Sequence, residues 1–271
     1  MACVSIMDTL GKLLAAEIHV LQVTWARFFF ILCFFVPFFL RSGPAGLVRS
    51  GNLRLQLLRA LLQLVASFSF FTALSHLPLA DVVAVAFSAP LFILALSAPL
   101  LGERPGARRW AAVTVGLGGV AVMIRPGFDT HWAMVLPLVA AFCFALFQIL
   151  TRMLARTDGS LTTLFYSTVV GAVILSAVAP AIWIWPSPTA WAMMIGLGAF
   201  GALGHFLMVE AFSAAPASSL APFTYSEIVW ATSLGYLVFA DIPDVWVVAG
   251  TAVVIGSGLY AFSLERRDGR R

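Results

Sequence analysis

The stretch Ala211–Phe262, AFSAAPASSLAPFTYSEIVWATSLGYLVFADIPDVWVVAGTAVVIGSGLYAF, decides the fold because an earlier part of the chain repeats its pattern. The aligned residues, each pair at an offset of 138, include Ser88 and Ser226, Pro78 and Pro216, and Glu103 and Asp241. Both copies contain a proline, a long apolar segment, an acidic-x-Pro turn and a glycine-containing apolar segment. Such a duplicated hydrophobic unit is typical of membrane proteins built from internal repeats, as many transporters are.

The composition identifies the chain as an integral membrane protein. It is 61% hydrophobic and only 10% charged, with a mean hydropathy of +0.99. A soluble domain has roughly 45–50% apolar and 25% charged residues. The three cysteines lie in apolar segments without metal-ligand or disulfide spacing, so we expect no metal and no cofactor.

Ten apolar segments recur from end to end. They cover about residues 2–16, 22–40, 55–76, 80–101, 107–124, 132–153, 160–185, 190–212, 217–239 and 245–263. Most are near the ~20 residues that a helix needs to span a bilayer, and helices satisfy their own backbone hydrogen bonds in lipid. The sequence therefore predicts an all-α integral membrane protein with ten transmembrane helices.

The basic residues predict the orientation of these helices. If the N-terminus is cytoplasmic, thirteen of the sixteen basic residues lie in cytoplasmic loops or the C-terminal tail, and Arg125 lies on the opposite side of the membrane. The other two, Lys12 and Arg27, lie within apolar segments. This count places Arg59 in a loop, and it makes the positive charge an orientation signal rather than a nucleic-acid surface. Both termini are then cytoplasmic, and we predict a bacterial inner-membrane location.

Five helices per copy predict that the second copy is inverted relative to the first. We assign residues 1–127 to repeat 1, with helices 1–5, and residues 128–271 to repeat 2, with helices 6–10. Inverted repeats place a substrate site near the bilayer midplane at the interface between the repeats. The loops are too short to contain a soluble catalytic domain, and we expect a transporter rather than an enzyme.

Glu227, near the middle of the ninth segment, is the strongest candidate for substrate binding or ion coupling. A charged side chain at that depth costs roughly 2.5–3.5 kcal/mol on insertion scales, so it must face protein or water. The alternative is a structural Glu bonded to a neighbouring helix. Neighbouring candidates on the same segment are Thr224, Tyr225, Ser226 and Trp230.

Asp8 and Lys12 in the first segment form a second candidate. Their i,i+4 spacing, with the acid first, favours an ion pair. That pair is a structural link, a charge-neutral ligand for a zwitterion or part of a coupling pathway. His205 lies deep enough in the eighth segment to be a functional candidate. Weaker candidates, since such residues more often make interhelical contacts than bind a ligand, are Ser88, Gln148 and Tyr166.

Three further features favour a structural interpretation. Arg27 lies beside Trp25 near the outer end of its segment, where snorkelling to the interface explains it. Asp81 follows Pro78 at a helix start and is predicted to be an N-cap. Glycines in the fifth and tenth segments predict a packing or dimer seam, and Pro90 and Pro222 predict breaks in the equivalent fourth and ninth segments.

These segments resemble the EamA-domain, ten-helix branch of the drug/metabolite transporter superfamily over essentially the whole chain. The most specific matches are ALSHLPLADVVAVAFSAPLF at 73–92, LGERP at 101–105, SSLAPFTYSEIVWATSLGYLVFADIPD at 218–244 and GTAVVIGSGLY at 250–260. The resemblance implies two inverted five-helix repeats, a central cavity and transport of small organic solutes. It does not determine the solute, because relatives carry amino acids, sugars, nucleotide-linked metabolites, S-adenosylmethionine, riboflavin and drugs.

The predicted function is therefore secondary transport of a small polar metabolite by alternating access, with an amino acid or derivative favoured. The first alternative is a vitamin or nucleotide-like solute of the riboflavin or S-adenosylmethionine type. The alternative of another class is a channel or lipid scramblase. The expected partners are the small-molecule substrate, the lipid bilayer and, through the glycine seam, a second copy of the chain.

Overall fold

The computed structural model describes residues 1–42, 48–102, 106–125, 131–155, 157–214 and 226–268, without the side chains of 42, 208–214 and 265–268. All regular elements in these ranges are helical. The α-helices are α1 Ala2–Glu17, α2 Val20–Ser42, α3 Leu53–Leu74, α4 Leu79–Ala86, α5 Ala89–Leu101, α6 Ala107–Ile124, α7 Val135–Leu154, α8 Ser160–Val178, α9 Pro188–Ala214, α10 Ser226–Phe239 and α11 Val245–Asp268. Short 3-10 turns, Trp132–Met134 and Ala179–Ile182, precede α7 and follow α8.

Eight spans within the described ranges are long and apolar enough to cross a bilayer. One of them, Leu79–Leu101, combines α4 and α5, which are separated by a break at Phe87 and Ser88. The break confirms the prediction made from Pro90, because a proline at the start of α5 cannot donate a backbone hydrogen bond to the preceding turn. The described lengths of α1 and α10, 16 and 14 residues, are shorter than a full span.

Several polar residues are fully buried, and many large apolar residues face outward, which is unusual in a soluble protein. Gln22, Gln56, Ser5 and Ser88 have no exposed surface, whereas Leu237 is 76% exposed. This distribution suits a chain whose outer surface meets lipid, because lipid accepts apolar side chains and offers no hydrogen bonds. The all-helical membrane fold predicted from the composition is confirmed at this level.

The helices of residues 1–125, the first set, pack mainly against the helices of residues 131–268, the second set. Each main contact between the sets is repeated when both helices are replaced by their counterparts in the other set. Helix α1 packs on α9. Helix α7, the counterpart of α1 in the second set, packs in the same way on α3, the counterpart of α9. The contact between α2 and α9 corresponds to the contact between α8 and α3. The contact between α1 and α10 corresponds to the contacts of α7 with α4 and α5. Helices α2 and α8, α4 and α10, and α6 and α11 pair with their own counterparts.

The contact between α6 and α11 is made by glycines. A Cβ at Gly119 would lie 2.9 Å from the backbone oxygen of Gly250, and a Cβ at Gly250 would lie 2.5 Å from that of Gly119. Because side-chain carbons do not approach backbone oxygens this closely, the two helices can touch only with glycine at both positions. The predicted packing seam thus lies within one chain.

Candidate functional site

Four ionisable side chains from four helices gather inside the helix bundle. Asp8 on α1, Arg27 on α2, His205 on α9 and Glu227 on α10 lie within electrostatic reach of one another: Asp8 interacts with Arg27 and Glu227, and Arg27 with His205. Asp8 is only 2% exposed. We call these four residues the charged group. Asp8 is buried, and Arg27, His205 and Glu227 are partly buried. Ionisable side chains within membrane helices are rare and mark candidate functional sites.

Hydrogen bonds between neighbouring turns and helices hold the charged group in place. Ser5 on α1 donates through Oγ to the backbone oxygen of Glu227, at 3.4 Å, and thereby links α1 to the start of α10. One turn further along α1, Thr9 Oγ1 donates to the backbone oxygen of Ser5, at 2.7 Å. The ring nitrogen Nδ1 of His205 lies 3.0 Å from the backbone oxygen of Gly201 on its own helix.

The position of Arg27 differs from the sequence prediction. Snorkelling would carry its guanidinium toward the membrane surface, but its Cζ lies 5.7 Å from the ring centroid of Phe71, which is fully buried. The side chain points inward because Asp8 and the aromatic face of Phe71 both attract a cation there. Arg27 is therefore a member of the charged group, and the interfacial interpretation was wrong.

The partner of Lys12 also differs from the prediction. Its Nζ lies 2.5 Å from Oδ2 of Asp241, beyond the end of α10, and 4.5 Å from the ring centroid of Phe239. The i,i+4 pair with Asp8 is thus replaced by an ion pair between distant parts of the chain. Helix spacing alone could not show this, because Asp241 is 229 residues away in the sequence.

A second ion pair lies at the same end of the bundle. Arg125, at the end of α6, pairs with Asp244, and Oδ1 of Asp244 also accepts a hydrogen bond from the backbone N–H of Trp246 at 3.1 Å. We call this end, with Lys12, Arg125, Asp241 and Asp244, the Asp241 end. Both ion pairs connect a residue of 1–125 to a residue of 131–268.

Asp81 lies at the Asp241 end and is not the N-cap predicted from the sequence. Pro78 occupies the N-cap of α4, and no side chain caps this helix. Asp81 is in the first turn, 8% exposed, and its Oδ1 has no hydrogen-bond partner among the described residues. It lines a cavity of about 190 Å³ with Asp244 and His131.

The opposite end of the bundle is joined by a hydrogen-bond network centred on Asp158, between α7 and α8. Asp158 accepts from Ser50 Oγ at 2.5 Å, from the backbone N–H of Gly51 at 2.7 Å and from Gln56 Nε2 at 2.7 Å. Burial raises the pKa of Asp158, but these hydrogen bonds and one from Thr157 outweigh burial and hold it below its usual value.

Arg59 continues this network one turn along α3. It donates to Thr151 Oγ1 at 3.0 Å and to the backbone oxygen of Thr163 and the hydroxyl of Ser167, and its Cζ lies 4.6 Å from the centroid of the Phe147 ring. With 2% of its surface exposed, Arg59 is not the loop residue assumed in the charge count. We call this end, with Ser50, Gln56, Arg59 and Asp158, the Asp158 end.

The remaining predicted site residues are spread through the bundle. Ser88 is fully buried at the break between α4 and α5, and its hydroxyl has no partner among the described residues. Tyr166 donates to the backbone oxygen of Val48 at 2.8 Å, at the Asp158 end. Ser226 begins α10, Trp230 is half exposed one turn later, and Gln148 is half-buried on α7. Thr224 and Tyr225 lie outside the described residues.

Neither of the two described cavities contains the charged group. One cavity, of about 540 Å³, is lined by Trp25, Ser176, Trp183 and Trp185, and Trp25 Nε1 donates a hydrogen bond of 2.8 Å to Ser176 Oγ there. The other is the cavity at Asp81. No cluster of metal-binding side chains occurs in the described part of the chain.

Comparison with known proteins agrees with this membrane architecture. Residues 1–125 and 131–263 each match the EamA-like transporter family. The S-adenosylmethionine uptake transporter of Rickettsia prowazekii (strain Madrid E) is 31% identical, covering 97% of this chain and 90% of the relative. A riboflavin transporter of Brucella anthropi is 28% identical, covering 86% of this chain and 83% of that protein.

The fold also has a solved counterpart. A crystal structure aligns with a TM-score of 0.65 and 20% sequence identity, covering 98% of this chain and 96% of the other. This likeness concerns the arrangement of the helices alone. The family match covers nearly the whole chain in two consecutive parts, and the relatives are transporters. The chain is a multi-pass membrane transporter rather than an enzyme, and it belongs to the EamA-like transporter family.

Proposed function

We propose that this protein is a carrier for a small zwitterionic metabolite with a net positive charge, of the S-adenosylmethionine type. The charged group is the observation that supports the proposal. Arg27 suits a substrate carboxylate, and Asp8 and Glu227 suit an ammonium or sulfonium group. A bound sulfonium or ammonium would favour the ionised forms of both carboxyl groups, and Asp8, Arg27 and Glu227 would then carry one more negative charge than positive.

This charge balance separates the candidate substrates. S-adenosylmethionine carries a sulfonium, an ammonium and a carboxylate, so its net charge complements that of the group. A free amino acid, favoured from the sequence alone, has no net charge, and riboflavin is uncharged near neutral pH. The relatives described above are transporters of S-adenosylmethionine and of riboflavin, the two solutes of the alternative named from the sequence, and the charged group favours the former.

We further propose that the two parts of the chain are inverted repeats that exchange access to the charged group. Three observations support this: the two family matches, the helix contacts that are unchanged on exchange, and the repeated sequence pattern. The bias of basic residues supports cytoplasmic termini in an inner membrane. A homodimer would have to form away from the Gly119–Gly250 contact, on the face where Gly118 and Gly256 have open space.

Counterflow in proteoliposomes tests the carrier and its substrate together. Vesicles loaded with unlabelled S-adenosylmethionine should accumulate external labelled S-adenosylmethionine. S-adenosylhomocysteine, which lacks the sulfonium charge, should compete at least about tenfold less well. A tenfold ratio corresponds to about 1.4 kcal/mol, and close charge pairs contribute about 1.5–7 kcal/mol. Glu227→Gln should raise the KM for S-adenosylmethionine by about tenfold and reduce the preference over S-adenosylhomocysteine.

Glu17→Gln is the matched control, because Glu17 is an exposed carboxylate outside the charged group and should leave both quantities unchanged. Equal competition by S-adenosylmethionine and S-adenosylhomocysteine would contradict the role of charge. Stronger competition by riboflavin would identify a flavin carrier instead. Flux without stimulation by internal substrate would identify a channel or scramblase.

A further inference from the structure

The cavity at the Asp241 end contains a carboxyl group that the charged group does not use. Its volume is about 190 Å³, and its lining includes Asp81, Asp244, His131 and apolar side chains such as Met123 and Met134. Asp81 is more than nine-tenths buried, and its Oδ1 is without a hydrogen-bond partner in the described ranges. A buried carboxylate oxygen without a partner is unfavourable unless a ligand neutralises it.

Among the described residues, the charges around Asp81 do not balance. The described groups that act on it electrostatically are Asp244, Asp241, Lys12 and Arg125. Lys12 is already paired with Asp241, and Arg125 with Asp244. Asp81 therefore supplies one negative charge in excess at a site that is largely shielded from water.

The described contacts of the two histidines at this end are with groups other than Asp81. The Nδ1 of His131 accepts a hydrogen bond from the backbone N–H of Ala133, at 3.2 Å. The ring of His76 lies 5.8 Å from that of His131 and 5.1 Å from that of Trp132, measured between centroids. Metal cations such as Ca²⁺ or Mg²⁺ bind through about six oxygen atoms, and this lining supplies side-chain oxygens only from Asp81 and Asp244.

We propose that Asp81 is a proton-binding site that controls how firmly the two ion pairs hold the Asp241 end together. When Asp81 carries a proton, it is neutral, and the charges of the two ion pairs, Lys12 with Asp241 and Arg125 with Asp244, sum to zero. When the proton leaves to water, the Asp81 carboxylate attracts Lys12 and Arg125 away from Asp241 and Asp244, and both pairs weaken. Proton release would thus favour opening of this end.

The role in transport rests on the proposed carrier function, but the proton site itself does not and can be tested alone. Because burial disfavours the charged carboxylate, the folded protein should lose stability as the pH rises and Asp81 ionises. The Tm of the purified protein in detergent should fall by about 2–4 °C between pH 5 and pH 8. Asp81→Asn, which keeps the size and removes the charge, should have a nearly constant Tm over this range.

His131→Asn is the matched control, since Asn preserves the N-cap to Ala133 and removes another titratable group. It should retain the pH dependence of the wild-type protein. An unchanged slope in Asp81→Asn, or its loss in His131→Asn, would overturn the assignment to Asp81. Replacing Na⁺ by choline should change nothing, and a Na⁺-dependent Tm would identify a metal cation instead of a proton.

A transport measurement extends the test. In vesicles that show counterflow, the rate in wild-type protein should depend on pH, whereas Asp81→Asn should be active with a rate constant within about twofold from pH 5 to pH 8. If the pH dependence survives in the variant, Asp81 does not control access, while the carrier function stands. If counterflow is absent from the wild type, the carrier function fails and the Tm comparison still decides the proton site.

Discussion

Two ion pairs join the chain's two parts at the Asp241 end, whereas a hydrogen-bond network joins them at the Asp158 end. The side chains of Lys12 and Asp241 are 15% and 25% exposed, and those of Arg125 and Asp244 are 41% and 37% exposed. At the other end Asp158 is 9% exposed and surrounded by donors. The two ends thus differ in both chemistry and access to water.

This difference predicts that the ends differ in strength. Ion pairs that remain in contact with water contribute between about 0 and 1 kcal/mol and are screened by salt. A buried carboxylate that accepts several hydrogen bonds contributes more, at about 1.5–3 kcal/mol for each bond to a charged group. We therefore expect the Asp241 end to open more readily and the Asp158 end to remain closed under mild conditions.

The largest expected effect is that of Asp158→Ala. The substitution removes the Asp158 acceptor from the buried Gln56 amide and from the Gly51 N–H. We expect a loss of about 3 kcal/mol in the free energy of unfolding, measured in mixed detergent micelles. Asp158→Asn, which keeps one acceptor oxygen, should lose less.

Acid provides an independent check on this prediction. Because hydrogen bonds hold the pKa of Asp158 below its usual value, the stability that it contributes is present above about pH 4 and disappears as the pH falls through its lowered pKa. Wild-type protein should therefore lose more stability below about pH 4 than Asp158→Ala does. Equal acid sensitivity in both proteins would show that Asp158 does not hold this end.

Much of this architecture could be predicted from the sequence because apolar length alone determines a membrane helix. The segments, the break before Pro90 and the close approach of the glycine-rich helices follow from residue type and spacing. The importance of Glu227 and Asp8 followed from the cost of a charge in an apolar segment. Their meeting with Arg27 and His205 did not follow, because it depends on how four separate helices pack.

The errors share a physical cause. Lys12 and Asp81 were interpreted from their neighbours along the helix, yet their electrostatic partners come from the far end of the chain. Arg27 and Arg59 were interpreted from their nearness to a segment end, yet both side chains turn inward to aromatic rings. Asp158 had no signal at all, because an acidic residue in a short loop is ordinary. Only its donors Ser50, Gly51 and Gln56, more than 100 residues away, distinguish it.

A smaller effect is expected from Arg59→Lys. Lysine keeps the positive charge but cannot reach Thr151, Thr163 and Ser167 with one fork of donors. We expect a loss of about 1–2 kcal/mol in the free energy of unfolding, measured as for Asp158→Ala. The control is Arg54→Lys, an exposed arginine of the same helix, which should change stability by less than about 0.5 kcal/mol. Equal losses in both variants would remove Arg59 from the network.

The smallest effect is expected at the ion pair of Lys12 and Asp241, where a double-mutant cycle of Lys12→Met and Asp241→Asn isolates the pair. Methionine keeps the apolar stem against Phe239 and removes the charge. The coupling free energy should be below about 1 kcal/mol and should nearly vanish in 1 M salt, where the Debye length is about 3 Å. A coupling above about 2 kcal/mol that persists in 1 M salt would mean that the pair is desolvated, because bulk ions could not reach it. The Asp241 end would then be as firmly joined as the Asp158 end.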